Sequence, residues 1–135
     1  MLMADKKLED LSILFIDDDS FMLDVVSQLL WKLGITQVET TESVAHALDF
    51  VRTQGDDIDV ILCDLHMPES NGIEFLLKLS TNGYKGHFAI LSGAMHETIE
   101  MAQELADLHG LRILGTLTKP VHEVEIKHLL TKAIA

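Results

Sequence analysis

The chain has 135 residues, 47% of them hydrophobic, and a positive mean hydropathy, so we expect one globular domain over residues 1–135. Its single cysteine excludes a disulfide framework, and its net charge of −12 would repel a phosphate backbone, which argues against direct nucleic-acid binding. No apolar stretch approaches the roughly 18 residues that span a bilayer, and residues 1–10 lack a signal-like apolar core, so we expect a cytoplasmic protein with no membrane partner.

Five short apolar runs alternate with five helical patterns along the chain. The predicted strands cover 11–16, 37–40, 58–63 and 88–91, with a weaker fifth strand that ends near Thr118. The predicted helices cover 20–33, 42–53, 73–79 and 96–108, with a fifth from Pro120 to the C-terminus. Apolar runs separated by helices are typical of buried parallel strands. We therefore expect an α/β fold: a doubly wound, flavodoxin-like, five-stranded parallel sheet of order 2-1-3-4-5 in a single domain.

The first predicted helix has an amphipathic pattern. Asp19 or Ser20 is suited to cap its N-terminus. Its core stripe is predicted to consist of Met22, Val26, Leu29, Leu30 and Leu33. Phe21 and Val25 lie on the shoulder of that stripe, where they could be core residues or a patch for a partner. Trp31 is predicted to be a lone surface aromatic.

Polar residues directly follow four of the five predicted strands. They are Asp17-Asp18-Asp19, Asp64, Ser92-Gly93-Ala94 and Lys119-Pro120. The carboxyl ends of parallel strands meet at one edge of a sheet, and ligands of open α/β sheets bind there. We therefore expect these groups to converge on one pocket.

Carboxylates that share a pocket repel each other, by about 4 kcal/mol for a pair about 4 Å apart at an effective dielectric near 20. Mg²⁺ prefers such oxygen ligands together with water and a phosphoryl oxygen. With Mg²⁺ and the Lys119 ammonium present, the charges of Asp17, Asp18 and Asp64 are balanced. The pocket then suits phosphoryl transfer, with Asp64 as the nucleophile because it stands alone on the central strand, and with Ser92 as a donor to a phosphoryl oxygen.

Four motifs carry a resemblance to a known family. The stretch from Asp64 to Gly72, with the pattern D-x-x-M-P-x-x-x-G, resembles the phosphoacceptor motif of bacterial response-regulator receiver domains. Asp17-Asp18 is similar to the acidic pair of that family, Ser92-Gly93-Ala94 to its hydroxyl-small-small element, and Lys119-Pro120 to its Lys-Pro pair. The match spans essentially the whole chain, with all parts in order.

The resemblance implies two-component phosphorelay signalling. A sensor histidine kinase or histidine phosphotransfer protein would pass a phosphoryl group to Asp64. The resulting change in conformation would control a partner or an output domain, whether separate or covalently linked. It implies an Mg²⁺ site in which Asp18 is a direct ligand and Asp17 a ligand through water, with Asp64 and the backbone carbonyl of His66. It implies no enzyme beyond a domain that promotes its own phosphoryl transfer and dephosphorylation.

The resemblance also implies that Lys119 contacts the phosphoryl group and that its bond to Pro120 is cis. Members of the family dock phosphodonors on the first helix beside the site, which here points to Phe21, Met22 and Val25. The resemblance leaves a homodimer open.

Two features depart from the family pattern. Receivers usually carry Tyr or Phe three residues before the Lys, as an aromatic switch partner, and this chain has Thr116. We therefore expect the switch to act mainly through residues 92–95 and the start of the fourth helix. The stretch from Ser92 to Lys119 is also longer than usual, and its ending resembles receivers that precede EAL-type cyclic-di-GMP phosphodiesterase domains.

Several other interpretations stay open beside this one. Asp17-Asp18-Asp19 alone could be an acidic cluster at a helix start, favoured by the helix dipole. An aspartyl-phosphate phosphatase of the haloacid-dehalogenase type would need D-x-D after the first strand and a cap domain. A pseudo-receiver would lack intact acids, and a mononucleotide-binding domain would need a glycine-rich phosphate loop, which is absent. Cys63 is predicted to be a small buried apolar residue.

Overall fold

The computed structural model describes residues 6–65, 72–92 and 96–134, and leaves aside the side chains of 72, 73, 96–99, 101 and 102. The strands are β1 Ser12–Ile16, β2 Gln37–Thr41, β3 Val60–Asp64, β4 His87–Ser92 and β5 Arg112–Thr118. The helices are α1 Ser20–Lys32, α2 Val44–Gln54, α3 Gly72–Thr81, α4 His96–Leu108 and α5 Glu123–Thr131. Short 3₁₀ turns cover Leu8–Asp10 and Gly55–Asp57. The alternation of strands and helices agrees with the prediction.

The strands form one parallel sheet in the order β2-β1-β3-β4-β5, as predicted. Residues of β1, β3 and β4 alternate between two apolar clusters, one on each face. Leu14 and Ile16 pack with α2, α3 and α4, whereas Ile13 and Phe15 pack with α1 and α5. Helices on both faces explain why the central strands are apolar throughout, since neither face of the sheet meets water.

Helix α1 packs its predicted stripe against the sheet, and Leu23 joins the stripe as a further buried residue. Its buried residues are Leu23, Val26 and Leu30, and Met22, Leu29 and Leu33 are partly buried beside them. Leu23 was not in the predicted stripe. Phe21 is 70% exposed and Trp31 67% exposed, so the core interpretation of Phe21 is wrong and the surface position of Trp31 is confirmed.

The start of α5 differs from the prediction. Pro120 does not open this helix, because Val121 is buried in the core and His122 is extended, so that α5 begins only at Glu123. The helix ends at Thr131, short of the C-terminus. The Lys119–Pro120 bond is cis, as predicted. Cys63 is a buried free cysteine, also as predicted, and burial raises the pKa of its thiol well above its ordinary value.

None of the described helices is both long and apolar enough to cross a lipid bilayer.

Candidate functional site

The carboxyl edge of the sheet brings the predicted groups together. Asp17 follows β1, Asp64 ends β3, Ser92 ends β4 and Lys119 follows β5. The Lys119 amide donates to the Ser92 carbonyl over 2.9 Å, which fixes the end of β5 against β4. The convergence predicted from four separate motifs is therefore present in the fold.

Three carboxylates form the centre of this site. One oxygen from each of Asp17, Asp18 and Asp64 can be chosen so that all three atoms lie within 4.8 Å of one another. Asp17 is fully buried, Asp64 is 3% exposed and Asp18 is exposed at the mouth. Carboxylates this close repel strongly where water is excluded, so the cluster favours a positive charge at its centre.

Lys119 supplies part of that charge. Its Nζ lies 3.2 Å from Asp64 Oδ2, in a hydrogen bond, and 3.2 Å from Asp17 Oδ2. Burial acts to lower the pKa of Lys119, but the Asp64 and Asp17 carboxylates outweigh it, so the net shift is upward. The ammonium is therefore charged at any physiological pH and is held between the two buried acids.

Asp17 keeps one oxygen free of hydrogen bonds. Its Oδ1 accepts from the Asp19 amide over 2.9 Å, whereas the buried Oδ2 has no hydrogen-bond partner among the described residues. Burial, followed by repulsion from Asp64, raises the pKa of Asp17 from 3.8 to about 6, against the opposing effects of the Asp19 amide and Lys119. The Lys119 ammonium gives this oxygen an ion-pair contact at 3.2 Å but no hydrogen bond, so a divalent cation would add the charge that the buried carboxylate still lacks.

The residues present therefore fit Mg²⁺. The donors are all carboxylate oxygens, which hard cations prefer, and one of the three residues is open to solvent, where water ligands can remain. One ammonium against three carboxylates leaves the described cluster negatively charged, and a divalent cation would neutralise it. The predicted ligand His66 lies outside the described residues, as do Gly93 and Ala94.

The three consecutive aspartates have different positions. Asp17 is in the pocket, Asp18 is at its mouth, and Asp19 Oδ1 accepts from the Phe21 amide over 3.0 Å as the N-cap of α1. The helix-start interpretation therefore applies to the side chain of Asp19 alone. The prediction that Asp19 or Ser20 caps this helix is thus confirmed for Asp19, whose carboxylate is engaged at the helix start and not in the pocket.

Of the predicted switch segment, residues 93–95 lie outside the described residues, and Ser92 can be compared with Thr116, which stands at the usual position of the aromatic partner. Ser92 is 1% exposed at the end of β4. Thr116 pairs with Ile90 and is half-buried, with an Oγ1 that has no hydrogen-bond partner among the described residues. The predicted docking residues lie at the start of α1, beside the pocket: Phe21 is exposed, and Met22 and Val25 are partly buried.

Comparisons with known proteins agree with this geometry. A family model described as "Response regulator receiver domain" matches residues 13–131. The cyclic di-GMP phosphodiesterase RocR of Pseudomonas aeruginosa is 29% identical over 126 residues, which cover 93% of this chain and 32% of that protein. A chemotaxis protein CheY homolog of Campylobacter jejuni is 33% identical over 69 residues, which cover 51% of this chain and 52% of that protein. The chain thus spans about a third of RocR and about half of the CheY homolog.

Solved structures are similar over nearly the whole chain. A response regulator receiver domain protein from Clostridium thermocellum superposes with a TM-score of 0.80 at 26% identity, covering 92% of this chain and 94% of that one. The CheX-CheY-BeF3-Mg complex from Borrelia burgdorferi gives a TM-score of 0.80 at 16% identity, covering 93% and 90%. At that identity the second likeness concerns the fold alone.

Proposed function

The chain belongs to the response regulator receiver domain family of two-component signalling, and we propose that Asp64 is its phosphoacceptor. The observation that supports this proposal most is the position of Asp64: it is almost fully buried, ends the central strand, and lies against both a candidate cation site and the Lys119 ammonium. A carboxylate so placed can attack phosphorus while the charge on the phosphoryl oxygens is neutralised from two sides.

In the proposed reaction, an Asp64 carboxylate oxygen forms a bond to the phosphorus of a phosphohistidine. The P–N bond of the donor breaks, the electron pair remains on the imidazole nitrogen, and that nitrogen is protonated as it leaves. Lys119 orients the phosphoryl group through its ammonium, and the buried Ser92 hydroxyl donates to one of its oxygens. A histidine kinase or histidine phosphotransfer protein is the donor that this chemistry requires.

Mg²⁺ is the proposed cofactor, held by Asp17, Asp18 and Asp64, with the backbone carbonyl of His66 as a further proposed ligand. When bound, it supplies positive charge to the phosphoryl oxygens and aligns them for in-line attack. Asp17 is held in place by the Asp19 amide, so its Oδ2 is oriented before any cation arrives. Asp18, which is exposed, is the ligand that a hydrated cation meets first.

The consequence of phosphorylation is a change in affinity for a partner or an output domain. We propose that phosphodonors dock at Phe21, Met22 and Val25 beside the pocket. The similarity to RocR favours a cyclic di-GMP phosphodiesterase as the regulated output. We further propose that residues 1–135 act as one cytoplasmic receiver unit.

Acetyl phosphate and Mg²⁺ test the phosphoacceptor directly. Intact mass should increase by one phosphoryl group in wild type, and Asp64→Asn should abolish the increase, as should EDTA. Asp59→Asn is the matched control, because Asp59 precedes the same strand at its other end, and this variant should be labelled like wild type. Labelling of the Asp64→Asn variant, or equal labelling in EDTA, would contradict the proposal.

A further inference from the structure

The turn between β1 and α1 joins the pocket to a helix through one residue. The amide of Asp19 donates to Asp17 Oδ1 over 2.9 Å, and the side chain of Asp19 accepts from the Phe21 amide over 3.0 Å. Asp19 itself has an extended backbone, with φ −94° and ψ 106°, and its carbonyl accepts from the Leu23 amide. The orientation of the Asp17 carboxylate and the first turn of α1 therefore depend on the same residue.

The turn between β2 and α2 is built in the same way but holds no site. Thr41 Oγ1 accepts from the Ser43 amide over 3.1 Å, and Ser43 Oγ accepts from the His46 amide over 3.2 Å. In both turns, the side chain at the strand end binds the amide two residues on, and that residue caps the helix. The difference is the second oxygen of Asp17, which is buried, has no hydrogen-bond partner among the described residues and lies 3.2 Å from Lys119 Nζ.

We propose that Asp19 is a positioning residue for the cation site: by capping α1 it fixes its own amide, and that amide holds the Asp17 carboxylate so that Oδ2 faces the cluster. This inference rests on the proposed function, since it requires a cation at Asp17 and Asp18. Asp19 is not itself a ligand in this proposal, because its carboxylate is engaged with the Phe21 amide.

Coupling between two elements is reciprocal. If the cap of α1 strengthens Mg²⁺ binding, then Mg²⁺ binding must strengthen the cap by the same factor. The Phe21 amide reports on the cap, because Asp19 Oδ1 is its hydrogen-bond acceptor. Phe21 is also the most exposed residue of the proposed docking patch, so the same coupling would link the cation site to the surface that a phosphodonor meets.

Two variants separate the cap from the charge of Asp19. Asp19→Asn removes the charge and keeps a capping side chain, whereas Asp19→Ala removes both. We expect Asp19→Ala to bind Mg²⁺ about three- to tenfold more weakly than Asp19→Asn, a ratio set by the usual stability of an N-cap. Ser43→Ala removes the equivalent cap of α2 and should leave the Mg²⁺ affinity unchanged.

Hydrogen exchange provides the second measurement on the full chain. Saturating Mg²⁺ should slow exchange of the Phe21 amide in wild type and in Asp19→Asn, with no slowing in Asp19→Ala, and the His46 amide should not respond. Equal Mg²⁺ affinities of the Asp19→Asn and Asp19→Ala variants would overturn this inference and leave the proposed function standing. A wild-type protein that binds no Mg²⁺ would instead contradict the proposed function. Weakening by Ser43→Ala to the same degree would show a general effect of stability and would also overturn the inference.

Discussion

Strand β3 has an aspartate at each end, and the two differ in how their surroundings satisfy them. Asp59, just before the strand, has both oxygens engaged: Oδ1 lies 2.6 Å from Lys6 Nζ and Oδ2 accepts from the Ser12 amide over 2.8 Å. Asp64, at the other end, lies in a cluster with the carboxylates of Asp17 and Asp18. Asp59 joins neighbouring segments, whereas Asp64 lies beside two carboxylates that repel it and one ammonium, that of Lys119, that attracts it.

The backbone of Asp59 also joins neighbouring segments. At the amino end, the Asp59 amide donates to Ser12 and its carbonyl accepts from the His87 amide, so Asp59 connects β1 to β4. The Tyr84 hydroxyl donates to the His87 carbonyl over 3.0 Å nearby. At the carboxyl end, the buried Oδ2 of Asp17 has an ion-pair contact with Lys119 Nζ at 3.2 Å but no hydrogen bond among the described residues. One end is arranged for stability, and the other keeps a repulsion that a ligand can relieve.

The largest expected effect on stability is at Asp17. Its pKa is about 6 in the folded protein and 3.8 in the unfolded chain, so the fold binds this proton more tightly. The stability that this contributes is complete below pH 3.8 and is lost as the pH rises through about 6, by at most about 3 kcal/mol. In EDTA, Asp17→Asn should lack this loss and be more stable than wild type at pH 7. Chemical denaturation across pH 3.5 to 7.5, in steps of about half a unit, measures it.

An Asp17→Asn variant that is less stable than wild type at pH 7 would contradict this prediction. Asp107→Asn removes one negative charge from an exposed residue of α4 and is the control for a change in net charge alone. It should leave the change in the free energy of unfolding between pH 4 and pH 6 as in wild type.

Substitution of Asp59 should lower the stability of the fold, in contrast to substitution of Asp17. Asp59→Ala leaves the Ser12 amide without its acceptor and removes the ion pair with Lys6, and we expect a loss of about 1–3 kcal/mol in the free energy of unfolding. Lys6→Ala removes only the ion pair, which is half-exposed, and should cost less than about 1 kcal/mol. Urea denaturation of both variants gives the comparison. If Lys6→Ala costs as much as Asp59→Ala, the backbone contact is not the main contribution.

Much of this contrast could be predicted from the sequence, because apolar runs fix the strands and parallel strands bring their carboxyl ends together. Asp17, Asp64, Ser92 and Lys119 were placed correctly on that basis. The role of Asp59 could not be predicted in this way. Its contacts depend on a preceding segment of the chain that lies beside it only in the folded protein.

The rotation of α1 about its axis and the geometry of the turns before α1 and α5 account for the other differences between the prediction and the structure. The apolar residues of α1 cover more than one side of the helix, and packing places the side that includes Leu23 against the sheet. Three consecutive aspartates look equivalent in the sequence, yet one is buried, one is exposed at the pocket and one caps a helix. Proline is favoured at the first position of a helix, but the burial of Val121 delays the start of α5.

A smaller effect is expected at Asp18, which shares the cluster but is exposed. Asp18→Ala should weaken Mg²⁺ binding more than Asp17→Ala, because Asp18 is the proposed direct ligand. Without Mg²⁺, Asp18→Ala should be slightly more stable than wild type, by about 0.5 kcal/mol, since the exposed Asp18 carboxylate no longer repels the other two carboxylates. Calorimetric Mg²⁺ titration and denaturation in EDTA measure the two effects. Unchanged Mg²⁺ affinity together with lower stability in EDTA would contradict the cluster as a cation site.

The smallest effect is expected at His87, which provides the counterpart of Asp17 at the amino end. Burial, and then the nearby Arg112 charge, lower the pKa of His87 below 6.5, although Asp59 opposes the shift. A lowered pKa means that the folded protein favours the neutral ring, so this stability is present above pH 6.5 and is lost as the pH falls through the folded-state pKa. Acid should therefore weaken the amino end while it relieves the carboxyl end.

His87→Gln separates these two opposed contributions. In EDTA the variant should gain more stability than wild type as the pH falls from 7 to 5, because the opposing loss at His87 is removed while the larger gain at Asp17 remains. The double variant with Asp17→Asn should show the flattest dependence of the free energy of unfolding on pH. The two changes should add, because the residues flank opposite ends of the sheet and share no partner among the contacts described. A smaller gain in His87→Gln than in wild type would show that the charged ring is favoured in the fold, contrary to the downward shift of the His87 pKa.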